Sequence, residues 1–163
     1  MYYVIRILLI WFLCLLSVFL HETGHALGYR IAGGKTEWKV FAGSGPRIIS
    51  IGKFTFCLIP VGGYFIPNEE EKTKREKLMT LTGGPLISIL LAVLFGILRF
   101  CSFGSGQPES ALYEILFPVF NFLMFFNFFQ FLFTAIPVRY RIVCRGHESD
   151  GLQIVHVLKR EKA

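Results

Sequence analysis

With 163 residues, 53% of them hydrophobic and only 17% charged, the chain has too little polar material to clothe a soluble domain, which carries about a quarter charged residues. Lipid is the solvent that such a composition suits. A formal net charge of +6 does not make it a nucleic-acid binder, because the lysines and arginines gather between apolar runs, as in membrane loops.

The first apolar run opens near Val4 and continues past Leu20 without a proline. It has no small-residue cleavage site, which predicts an uncleaved membrane helix over 3–32, ended by Gly33-Gly34. Residues 33–68 then alternate β-branched and aromatic segments (37–41, 47–51, 54–59) with glycine turns, the pattern of a small β-meander. A charged linker over 69–77 leads to a second membrane helix, 78–100, in which Gly83-Gly84-Pro85 either breaks the backbone at a protein-lined cavity or packs closely on a neighbour. A polar connector precedes the third membrane helix, 110–136, which is dense in phenylalanine, contains Pro118 and is closed by Pro137. The basic tail 137–163 has no run long enough to span. Cys14, Cys57, Cys101 and Cys144 show no CxxC spacing and read as small apolar fillers rather than disulfides or metal ligands.

The expected fold class is therefore a mainly α membrane protein: three transmembrane helices with a small β-element between the first and second. Positive charges lie in 33–77 (Lys35, Lys39, Arg47, Lys53, Lys72, Lys74, Arg75, Lys77) and in the tail, and none in the 102–110 connector. Positive-inside reasoning puts the amino terminus outside, and the β-element and tail in the cytoplasm. The expected location is a multi-pass one in the cell membrane, of the bacterial plasma-membrane type, with the bilayer as a constant partner.

The chemistry is written in His21-Glu22-Thr23-Gly24-His25. Histidines four apart on a helix stand one turn above the other, so both imidazoles can reach one metal. Glu22 can face the remaining coordination position, take a proton from water and return it to a leaving amine. Ionisable groups inside an apolar helix are costly and read as functional; the bland alternative is a His/Glu cluster at the headgroup level. A catalytic zinc takes three protein ligands. Asp150, the only aspartate of the chain, is the preferred third, and it falls on the same membrane side as the pentad. Glu148, His147 and His156 are its rivals, and helix N-capping is its structural alternative.

These residues resemble the site-2 protease family of intramembrane zinc metalloproteases. Beside the pentad, the likeness rests on Leu58-Ile59-Pro60-Val61-Gly62-Gly63-Tyr64 with Gly84-Pro85 after it, and on Ile136-Pro137 leading to Asp150-Gly151. The resemblance implies one zinc ion on His21, His25 and Asp150, Glu22 as general base, and cleavage of membrane-spanning or membrane-inserted peptides near the cytoplasmic leaflet. It also implies a minimal, single-unit form over 1–163 without a PDZ or sensor domain. The chain departs from the family pattern at Ser88 and Thr134, where asparagine is usual, and in a longer, more basic stretch between Pro137 and Asp150.

Residues expected to hold the substrate are Pro60, Gly62 and Gly63, where backbone can approach closely, and Asn127, for which interhelical hydrogen bonding is the alternative. Strand edges over 54–59 could pair with an extended peptide. The rival function is a catalytically silent protein of the same fold that binds zinc or a membrane peptide; a base beside the ligands argues against it. No particular substrate or oligomeric state is implied.

Overall fold

A computed structural model describes residues 2–68, 73–103, 111–140 and 148–159. Its elements run in the order α1 (Tyr2–Ile31), β1 (Trp38–Ile51), β2 (Phe54–Pro67), α2 (Lys74–Phe103), α3 (Ala111–Ala135) and α4 (Asp150–Lys159). The three long helices each hold a stretch long and apolar enough to cross a membrane: Tyr3–Ile31, Lys74–Ser102 and Leu112–Ala135.

Local chemistry explains where these helices begin and end. At the close of α1, Gly33 and Gly34 donate to the carbonyls of Arg30 and Tyr29, as the glycine pair predicts. The charged linker turns out to contain the start of α2. Thr73 Oγ1 accepts from Glu76 N at 3.1 Å while Glu76 Oε2 accepts from Thr73 N at 3.2 Å, a reciprocal capping box. Likewise α4 is capped by Ser149, whose Oγ accepts from Leu152 N at 3.2 Å. Asp150 is therefore the first helical residue and not the cap, so its carboxylate is free for other work.

Gly83-Gly84-Pro85 does not break α2, which is helical throughout. Pro85 costs one i→i−4 hydrogen bond, and the glycines serve packing instead. A Cβ on Gly24 would lie 2.5 Å from the Gly83 carbonyl oxygen, one on Gly83 would overlap Gly24, and one on Gly28 would overlap Met79. Gly24 and Gly28 form a small-xxx-small pair that lets α1 and α2 meet backbone to backbone. Helix α3 closes the bundle, with Val119 and Leu123 fully buried against Cys14. It runs through Pro118 without interruption.

Between α1 and α2 the chain forms two strands of 14 residues each instead of three short ones. They make one antiparallel two-stranded sheet of irregular register, in which Val40–Ala42 lie opposite both Phe65–Gly63 and Phe54–Phe56. This sheet does not stand clear of the bundle. Phe65 packs on Tyr29, Phe54 and Phe56 on Phe19, and Trp11 donates its indole N–H to the Leu58 carbonyl at 2.9 Å. Contacts from Tyr29 to Trp11 cover 19 residues of α1, roughly 27 Å of helix. The strands therefore run along the apolar span, and their outward Ile49, Leu58, Val61 and Ile66 side chains are exposed. A sheet with an apolar outer face suits a lipid or peptide neighbour better than water.

Candidate active site

His21, Glu22 and His25 are all buried in α1, within its apolar span. Asp150 comes from the far end of the chain. Its Oδ2 lies 3.9 Å from His21 Nε2 and 3.6 Å from His25 Nε2, and the three donors fall within 4.8 Å of one another. These separations exceed hydrogen-bond reach, so the donors converge on a common point without bonding each other. Burial pushes the Asp150 carboxyl above its ordinary range, and the nearby His25 pulls it back.

The far nitrogens of both rings are engaged. His21 Nδ1 lies 2.7 Å from Ser88 Oγ, and His25 Nδ1 lies 2.7 Å from the Thr80 carbonyl oxygen. A carbonyl only accepts, so His25 Nδ1 carries the proton and its Nε2 presents a lone pair toward Asp150. Such outer partners fix ring orientation at metal sites. Ser88, which stands where the resembled family has asparagine, thus still offers a polar side chain to the first histidine. Two imidazoles and one carboxylate form a donor set suited to zinc. The residues present fit that ion.

Space at the site is made by glycine. A Cβ on Gly84 would overlap His25 Nε2 and lie 2.8 Å from His21 Nε2, so α2 can press its backbone against the facing nitrogens only with glycine there. Opposite, a Cβ on Gly63 would lie 2.8 Å from Glu22 Oε1 and 2.6 Å from the Phe41 carbonyl oxygen. At Gly63 the close approach is to Glu22, whereas the sequence expectation is an approach to substrate. Gly62 has a different reason to be glycine: its φ is +67° with open space around it, a turn requirement. Pro60 lies in the same strand, β2, ahead of Gly63.

Helix α4 is anchored so that Asp150 faces the histidines. Ser149 Oγ donates to the Ile136 carbonyl at 2.7 Å and accepts from Val138 N at 3.0 Å, while Ser149 N donates to the Val138 carbonyl at 3.0 Å. A Cβ on Gly151 would overlap the Ala135 carbonyl, which accounts for glycine after the aspartate. Two rivals for the third ligand position, Glu148 and His156, are engaged elsewhere. Glu148 pairs with Arg139 and, at 3.2 Å, with His156 Nδ1; the Arg139 hydrogen bond, with His156 alongside, holds its carboxylate below the usual range. His147 and Cys144 lie outside the described residues. Asn127 is fully buried and gives its amide protons to Ser17 Oγ at 3.1 Å and the Leu123 carbonyl at 2.8 Å. It ties α3 to α1 one turn from His21.

Sequence and geometry meet at this point: the family model described as Peptidase family M50 matches residues 9–149. The chain belongs to peptidase family M50. This is the site-2 protease family that the motifs resemble, and the chain is accordingly a membrane metalloprotease. The M50 match covers the pentad, the glycine seam, the sheet and the Pro137 turn, and stops one residue before Asp150. No curated protein and no solved structure matches the chain.

In this M50 member, Ser88→Ala is expected to weaken zinc binding about 10–100-fold by releasing His21, as measured by competition with a chromophoric chelator. Unchanged zinc affinity in that variant would remove Ser88 from the support of the site.

Proposed function

We propose that this protein is an intramembrane zinc endopeptidase, acting as a single unit over 1–163 on membrane-spanning or membrane-inserted peptides near the cytoplasmic leaflet. In this reading the amino terminus faces outward, the tail faces the cytoplasm, and one zinc is held by His21, His25 and Asp150. The observation that carries it is the convergence of those three donors, from opposite ends of the chain, beside the buried Glu22.

Zinc, when bound there, supplies Lewis acidity toward water and the scissile carbonyl. The chain's own residues do the rest. Glu22 accepts the proton of the attacking water and returns it to the leaving amine. Its carboxylate lies against the backbone of Gly63, where no side chain intervenes. Ser88 and the Thr80 carbonyl keep the two imidazoles turned inward. Pro60, Gly62 and Gly63 present a strand beside Glu22 on which an unwound substrate can lie, and unwinding is needed because a helix hides its carbonyls in its own hydrogen bonds. Asn127 contributes at one remove: its buried Oδ1 has no partner and can accept from a substrate N–H or a water.

The test is metal content alongside cleavage. Purified Asp150→Asn and His25→Ala are expected to lose stoichiometric zinc by elemental analysis, and cleavage of a model membrane peptide with it. Full zinc in Asp150→Asn would move the third ligand to another residue.

A further inference from the structure

Two charged side chains, Lys39 and Arg47, lie on β1 and a third, Lys53, in the turn before β2, and one of the three is at an unusual depth. Lys53 Nζ is 5.2 Å from the Trp38 ring centroid. Lys39 follows Trp38, which packs on Phe65, itself against Tyr29 near the end of α1. Trp38 also packs on Phe54, itself against Phe19, so both lysines lie between the levels of Phe19 and Tyr29 of α1. Arg47 lies deeper.

Arg47 is paired opposite Cys57. On one side of Cys57 is Phe56, which packs on Phe19; on the other is Leu58, whose carbonyl accepts from Trp11. These contacts bracket Arg47 between the levels of residues 11 and 19 of α1. Counted along the helix, residue 19 is already roughly 16 Å inside the level of Arg30. An arginine at that depth is costly unless something complements it.

The side chain of Arg47 is exposed, and among the described residues no carboxylate pairs with it. Its guanidinium lies 5.9 Å from the centroid of the Phe41 ring. Phe41 stacks on Tyr64 at 4.4 Å, and Tyr64 follows Gly63, the residue against which Glu22 lies. The cation is thus carried on an aromatic pair bordering the general base. An aromatic face leaves a guanidinium charged and its forked donors unfilled. The group that fills them is a carboxylate, bound bidentately.

We propose that Arg47 is a specificity residue that binds a carboxylate on the membrane peptide, either an acidic side chain or the C-terminal carboxylate, as the chain passes Phe41 and Tyr64 toward Glu22. This rests on the protease reading above. A carboxylate in an apolar segment and a guanidinium that meets no carboxylate among the described residues at the same depth are each poorly placed alone, and pairing relieves both. Peptides without the charge leave Arg47 unfilled at apolar depth, and that difference is what discriminates between them.

The experiment uses model transmembrane peptides that differ by Glu against Gln at positions scanned around the cleavage site, each with a free or amidated C-terminus. Binding is measured in micelles to the Glu22→Gln protein, and cleavage is measured with the wild type. At one position, or at the free terminus, the carboxylate peptide is expected to bind about ten-fold tighter than its neutral counterpart. Adding Arg47→Gln should bring that ratio to about one, and Arg47→Glu should reverse it in favour of a lysine peptide. The free-against-amidated comparison tells which carboxylate is read. Because the binding preference does not need turnover, a wild type that cuts none of the peptides counts against the protease reading while the binding ratio still judges Arg47. Equal binding of charged and neutral peptides overturns the proposal, as does a preference that survives both Arg47 substitutions. If Arg47→Gln changes only the response to anionic lipid in vesicles, the cation serves a lipid phosphate and the proposal falls.

Discussion

Replacing Glu22 by glutamine is expected to leave bound zinc at its wild-type level and to lower cleavage of a membrane peptide on the order of 10²–10⁴-fold. The amide keeps the volume and much of the polarity of the carboxylate, so the close fit against Gly63 persists. It cannot take a proton from water. The three proposed ligands lie on other residues and are undisturbed. Zinc analysis together with peptide cleavage checks both halves. Wild-type turnover by Glu22→Gln would sink the catalytic assignment, while loss of zinc would make Glu22 a ligand.

The second large effect is expected at Gly84. In Gly84→Ala the new methyl would overlap His25 Nε2 and crowd His21 Nε2, the two atoms that face Asp150. Either the rings turn away or α2 is pushed off α1, and overpacking of this kind costs about 1–3 kcal/mol even in a tolerant core. Zinc content should fall to background and cleavage with it. A control exists on the same helix: a Cβ on Gly96 would meet Met124 Sδ at 3.5 Å, ordinary contact, and alanine is the better helix former. Gly96→Ala should therefore keep zinc. Equal behaviour of the two variants would contradict the steric account.

Different parts of this architecture were legible in the sequence to different degrees. The three spans follow from hydropathy alone, and two of the donors from a five-residue spacing on one helix, because both signals are local. Asp150 could be picked out only because the chain has no other aspartate. What makes it available is the cap at Ser149, a choice between adjacent polar residues that composition does not resolve. The Gly83-Gly84-Pro85 segment left helix break and close packing open, since both need small residues. The partner decides it, and that partner is Gly24 of another helix. The Ser88–His21 contact joins residues 67 apart, and no periodicity encodes such a pair. Glycine turns between the β-branched segments suggest separate short pieces where the chain forms two long strands. Their pairing along α1 depends on Trp11, Phe19 and Tyr29, which the local pattern assigns only to an apolar helix.

The glycine seam between α1 and α2 has a mechanical consequence. Where backbones touch, no side chains remain between them to change rotamer and make room, so the two helices behave as a single stiff strut. That strut carries His21, Glu22 and His25 on one side, with Thr80, Gly84 and Ser88 on the other. Prying it open would dismantle the proposed ligand pair before a peptide arrived. A substrate must therefore reach the site from the flanks, past the sheet or past α3, and the moving parts belong there.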